Sequence, residues 1–113
     1  MSSELQGATG PSSQTVLRFA DNFVRLLGLH GLTQNYAGRL LGVSSATMSS
    51  WINGKSAPSL AKAIELSGFF RLPTERLMGA RFADLLQHEL ADPDRYEQVE
   101  EAIRRSRDES TTS

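Results

Sequence analysis

Cysteine is absent from the 113 residues, which excludes disulfide frameworks, thiolate metal centres and cysteine nucleophiles. No apolar run approaches the roughly 18–20 residues that a membrane span needs, so no membrane association is expected. The first 15 residues carry neither the basic cluster nor the hydrophobic stretch of a secretory signal, and a cytoplasmic protein is the expectation. Aromatic residues make up 7% and hydrophobic residues 39%, enough for one small core. A domain of this size buries only about 60–70% of its unfolded surface, which favours dimerisation.

Materials for catalysis are equally scarce. His30 lies in a Gly-Leu-His-Gly turn with no nucleophile motif beside it. His88, Glu89 and Asp92 have a loose metal-ligand look, but adjacent helical residues diverge by about 100° and do not converge on one ion. Asp92-Pro93-Asp94 lacks the glycine and terminal glutamate of a calcium loop. No glycine-rich phosphate loop is present either. The expectation is a protein that is not an enzyme and carries no cofactor or metal.

Net charge is small, at −1, but the charges are unevenly placed. Residues 1–81 carry a net +4 and residues 82–113 a net −5. No carboxylate occurs between Asp21 and Glu65, whereas Arg25, Arg39, Lys55 and Lys62 all do. A central region stripped of negative charge suits contact with a polyanion.

What the chain does have is helical period almost throughout. Residues 1–14 are Ser/Gly-rich and read as a disordered leader, and the Ser/Thr-rich tail 106–113 reads the same way. Leu17, Ala20, Phe23 or Val24, and Leu27 repeat at helical spacing and predict a first helix over 15–28, with Thr15 as its cap. Thr33 caps a short helix ending at Leu41, Gly42 supplies the positive-φ exit, and Ser44 caps another helix running to about Ile52. A fourth helix opens at Pro58-Ser59, with Leu60, Ala63, Ile64, Leu66 and Phe70 inward. A fifth begins near Pro73-Thr74. The sequence therefore predicts an all-α, compact five-helix domain over 15–80, followed by an acidic helical extension over 81–105.

The pair of short helices between Thr33 and Trp51 is the most informative stretch. Two helices of about two turns joined at Gly42-Val43 must cross steeply, and Gly38 sits where their backbones meet. Val43, Met48, Trp51 and Ile52 form the inner side of the second helix. Ala46, Ser49, Ser50 and Asn53 fall on the opposite face, which is small, polar and uncharged.

The segment LTQNYAGRLLGVSSATMSSWINGKSAPSL resembles the lambda repressor/Cro-like helix-turn-helix domain, also called the XRE family. The likeness is carried in register by Leu32-Thr33-Gln34, Gly38, Gly42, Val43-Ser44, Ser49-Ser50-Trp51, Asn53-Gly54-Lys55 and Pro58-Ser59-Leu60, and it spans about 16–79. The resemblance implies that Ser45, Ala46 and Ser50 read base edges, with Ser49 beside them, and that Gln34, Asn53 and Lys55 hold phosphates. Arg39 and Lys62 join the phosphate set on charge alone. Ala37 departs from the larger aliphatic usual there, and Ile52 from a common acidic residue. The second helix also lacks Arg, Lys, Asn or Gln before Asn53, so bidentate base readout is missing.

Beyond Arg81 the resemblance ends. Phe82, Leu85, Leu86 and Leu90 form one apolar stripe, and Tyr96, Val99 and Ile103 another. Short helices need tertiary partners, and a dimer interface made of these seven residues is the expectation, with packing back on the domain as the alternative. The resulting functional expectation is a homodimeric, nucleoid-associated repressor of transcription that binds double-stranded DNA. The alternatives are an antitoxin-type module whose C-terminal helices hold a protein partner, and a nucleoid-type binder of low sequence specificity.

Overall fold

The computed structural model describes residues 13–112. Among these, seven α-helices follow one another: α1 Ser13–Leu29, α2 Gln34–Leu41, α3 Ser45–Ile52, α4 Leu60–Phe70, α5 Thr74–Gly79, α6 Phe82–Gln87 and, after a 3-10 turn Glu89–Ala91, α7 Pro93–Thr112. The all-α class expected from the sequence is what the chain adopts, and no strand occurs among the described residues. No helix among them is long and apolar enough to cross a membrane.

Helix α1 starts two residues before Thr15, so Thr15 lies inside its first turn and is not the cap. Residues 1–12 of the expected leader, and Ser113, lie outside the described residues. Phe19, Ala20, Phe23, Leu26 and Leu27 form the buried stripe, while Leu17 and Val24 face outward. The stripe belongs to Phe19 because Phe19, Phe23 and Leu26 stack at helical spacing, whereas Leu17 lies about 200° around the helix from Phe19. Asn22 is fully buried on the same helix. Its amide nitrogen donates to the carbonyls of Leu77 and Ala80, each at 2.9 Å, satisfying the exit of α5. Helix α4 buries Ala63, Leu66, Ser67 and Phe70. Leu60 and Ile64, expected inside, are 73% and 54% exposed.

The C-terminal segment packs back on its own domain. Val99 and Ile103 belong to the same core as Phe70, Leu72 and Leu32. Leu85 is also fully buried, so these three residues of the expected dimer stripes are spent within the chain. Phe82 and Leu90 are partly buried against that core, whereas Leu86 and Tyr96 stay exposed. Helix α7 also runs on past Arg105, through most of the expected disordered tail. Its continuation is supported by Arg105 reaching Glu101 at 3.5 Å and by Arg107 over the Tyr36 ring at 5.3 Å, a contact back to α2.

Two polar connections fasten this segment. Arg76 on α5 grips both carboxylate oxygens of Glu89 at 2.9 Å, which holds the Glu89 carboxyl below its usual range. Deeper, the buried His30 ring donates from Nδ1 to Glu100 Oε2 at 2.7 Å. Its Nε2 accepts from the Arg95 guanidinium at 3.2 Å. Arg95, itself buried, also donates to the Phe70 carbonyl at the end of α4, and Tyr96 stacks on the imidazole at 4.9 Å. Since a guanidinium can only donate, this arrangement requires a neutral His30. Burial lowers its pKa most strongly, the Glu100 hydrogen bond opposes that, and the Arg95 charge lowers it further.

Two consequences can be measured. His30 titrates near 6.5 in an unfolded chain, so below that value the unfolded state takes up a proton that the folded state resists. Stability is therefore complete above about pH 6.5 and declines as pH falls toward the lowered folded value. Urea unfolding at pH 7.5 and 5.5 should show a larger loss for the natural chain than for His30→Gln; equal losses would exclude His30 as the source. At the α2–α3 crossing, a Cβ on Gly38 would lie 2.9 Å from the Val43 carbonyl oxygen and 3.3 Å from Met48 Cγ. Gly38→Ala should lower stability by about 1–3 kcal/mol despite its better helix propensity, read as a shifted urea midpoint at unchanged slope.

Candidate nucleic-acid interface

The two-helix unit is built by local capping. Thr33 Oγ1 accepts from the Tyr36 amide at 3.1 Å, which starts α2. Gly42 ends it at φ 69°, and the Val43 amide returns to the Gly38 carbonyl at 2.8 Å. Ser44 Oγ then accepts from the Thr47 amide at 3.2 Å and starts α3. The exit of α3 closes through Lys55, whose amide donates to the Ser50 carbonyl at 2.9 Å. Gly54 makes that turn at φ 70°. Each cap satisfies backbone groups that a two-turn helix cannot satisfy internally.

Burial of Met48 and Trp51 fixes which side of α3 remains outside. Trp51 meets the Phe19 and Phe23 rings edge-on at 5.6 and 5.7 Å, so it is a core residue and not a stacking platform. Ser45 and Ala46 are exposed, Ser49 and Ser50 half-buried. The four expected base-reading residues thus share the outward side of one helix.

Their hydroxyls are not equally disposed. Ser50 Oγ shares a 2.6 Å hydrogen bond with Ser56 Oγ, which ties α3 to the following loop. Asn53 folds its amide nitrogen back onto the Ser49 carbonyl and Oγ, at 2.9 and 3.2 Å. Ser45 Oγ and the Ala46 methyl lie at the exposed first turn. Thr47 is exposed there too, a residue the outward-face reasoning left out. The signal for it was positional: the first turn of a short helix projects past its neighbour, so more than one side is open.

A groove of about 270 Å³ lies between the two helices, lined in part by Gln34, Asn35, Arg39 and Ser45. Gln34 and Arg39 therefore meet the start of α3, and Asn35 adds an amide that sequence reasoning did not single out. Arg39 is exposed, with its guanidinium 5.8 Å from the Tyr36 ring. Lys55 is exposed at the exit of α3. Neither cation has a carboxylate partner among the described residues.

Lys62 differs. Its ammonium donates to the Leu41 carbonyl at 3.3 Å and to Glu65 at 2.9 Å, joining the end of α2 to α4. Its expected phosphate role competes with this bracing one. The first turns of α2, α3 and α4 contain no acidic residue, so nothing opposes an anion approaching their positive ends. The arrangement is an uncharged, shallow helix face flanked by two unmatched cations, which suits insertion into a groove walled by phosphates.

Residues 24–77 match the family model described as helix-turn-helix. No curated relative and no solved structure matches. Residues 24–77, which hold the capped helix pair and its uncharged outer face, are a helix-turn-helix domain of the lambda repressor/Cro-like type, a type found in DNA-binding transcription regulators.

Proposed function

We propose that the protein binds a specific duplex DNA site as a homodimeric repressor, with α3 in the major groove. The observation that carries this reading is the outward side of α3, uncharged and flanked by Arg39 and Lys55. Ser45, Ala46 and Ser49 read the groove, Ala46 by contact with a thymine methyl. Ser50 joins them only by giving up or sharing its bond to Ser56. With single hydroxyls as donors, selectivity rests also on DNA shape and bridging water. Gln34, Lys55 and Arg39 hold the phosphates, Asn53 joins them only by releasing its amide from Ser49, and Lys62 ties α2 to α4. Repression follows from occupancy, since a bound dimer excludes other proteins from the same DNA.

The dimer contact is proposed on α4 and not on the C-terminal stripes, whose Leu85, Val99 and Ile103 are buried in the chain. Leu60 and Ile64 stand one turn apart and are the two most exposed large apolar side chains from α3 onward among the described residues. Ala61 and Gly68 share their side of the helix and are exposed, with open space around Gly68. Helix α4 also follows directly on the Lys55 loop, so pairing it sets the distance between two recognition helices. Half-sites about 34 Å apart, one turn of DNA, suit such a pair. A C-terminal grip on a protein partner has less support, because the apolar side of α7 is already covered.

With a site selected from random duplexes, Lys55→Ala should weaken selected and random DNA alike and flatten the salt dependence by about one unit per subunit. Ala46→Asp should abolish binding to the selected site with helicity intact. Unchanged binding in both variants would remove α3 from the interface, and equal affinity of the natural chain for both duplexes would favour a binder of low specificity.

The dimer is tested separately. The double variant Leu60→Asp/Ile64→Asp should scatter light as a folded monomer and lose about 10²–10⁴ in DNA affinity, the gain expected from joining two modules. A variant that remains dimeric would place the contact elsewhere.

A further inference from the structure

A second groove, of about 740 Å³, opens between α1 and α6, with Leu17, Phe82 and Leu86 on its apolar wall and Arg18, Arg25, Arg81 and the carboxylate of Asp21 around it. Neither DNA binding nor the α4 pairing uses it. Its volume is that of a small-molecule site, and its make-up, an apolar wall with a few convergent polar groups, is the usual one. Leu17 and Leu86 are 61% and 48% exposed, so there is apolar surface left for an occupant to cover.

The charges around the groove give that occupant a sign. Arg25 is matched by Asp21 at 2.9 Å, and Arg81 by Asp84 at 3.4 Å. Arg18 is matched by no carboxylate among the described residues. Its Nη1 donates to the Gly79 carbonyl at 2.9 Å, which aims the guanidinium and leaves its other N–H donors for a ligand. An apolar wall with one unmatched, oriented guanidinium is complementary to a molecule with a hydrocarbon or aryl body and one carboxylate.

We propose that this groove binds a small amphipathic carboxylate, its body against Leu17, Phe82 and Leu86 and its carboxylate on Arg18. The groove also adjoins the DNA side of the molecule. A Cβ placed on Gly54 would lie 3.1 Å from Leu17 Cδ2, so the side chain that walls the groove packs on the turn between Asn53 and Lys55. An occupant that bears on Leu17 bears on that turn.

Calorimetric titration of the full chain with sodium octanoate, without DNA, tests the proposal independently of the DNA reading. Octanoate should bind saturably, one per chain, and about 10-fold or more tighter than octanol, the margin of a charge-assisted hydrogen bond. Arg18→Gln should reduce octanoate to the level of octanol. Leu86→Asp changes an exposed residue and should weaken octanoate by about 10-fold or more, so it decides the matter if Arg18→Gln fails to fold. Equal binding of octanol and octanoate, or unaltered octanoate binding by Leu86→Asp, would overturn the proposal. A scattering mass that falls as octanoate is added would assign the groove to a second copy of the chain and overturn it as well.

Discussion

The edge-on seating of Trp51 between Phe19 and Phe23 is the contact on which the rest of the molecule depends. Helix α3 has only eight residues and would not hold together in water by itself. Burial of its one large aromatic residue, together with Met48, supplies the stabilisation that its length cannot, about 1.5–3 kcal/mol for a side chain of that kind. The same contact sets the rotation of α3 about its axis. Once Trp51 and Met48 are inside, Ala46 and its serine neighbours have nowhere to be but outside. Phe23 extends the cluster to Phe70, with ring centroids 6.4 Å apart, so α1 links α3 to α4.

Charge is sorted along the chain so that structure and binding do not compete. Carboxylates are missing from α2 and α3 and concentrated in α7, where Glu97 and Glu101 lie near Arg104 and Arg105. Exposed pairs of that kind contribute little to stability, but they keep the acidic helix from repelling itself. The Arg95–His30–Glu100 chain is of another order, because Arg95 and His30 are buried, Glu100 is only partly exposed, and the imidazole joins the other two. It links the turn after α1, the end of α4 and the body of α7. Removing the imidazole would leave an Arg95 N–H donor in the interior without its acceptor.

The helix pair was legible because its constraints are local. Thr33, Gly42, Ser44 and Gly54 each meet a requirement of backbone geometry or capping within a few residues of themselves, and Gly38 meets a crossing only five to ten residues away. Periodicity also named Met48 and Trp51 as core, since the inner side of a short helix is fixed by its few large apolar residues. Periodicity misassigned Leu17, Leu60 and Ile64, however. Apolar character says that a side chain gains from burial, not that a neighbour exists to bury it.

The amino-acid sequence by itself determined the all-α class, the capped helix pair, the family, and the region kept free of carboxylates. All of these follow from residue type and short spacing. Tertiary structure alone decided where the C-terminal stripes went, because Val99 and Ile103 found Phe70 and Leu72 across the chain before any second molecule was needed. It also decided that Lys62 would brace α2 and that His30 would be neutral. Those outcomes depend on partners 21 to 70 positions away, and a linear pattern carries no record of which distant groups the fold will bring within hydrogen-bond reach.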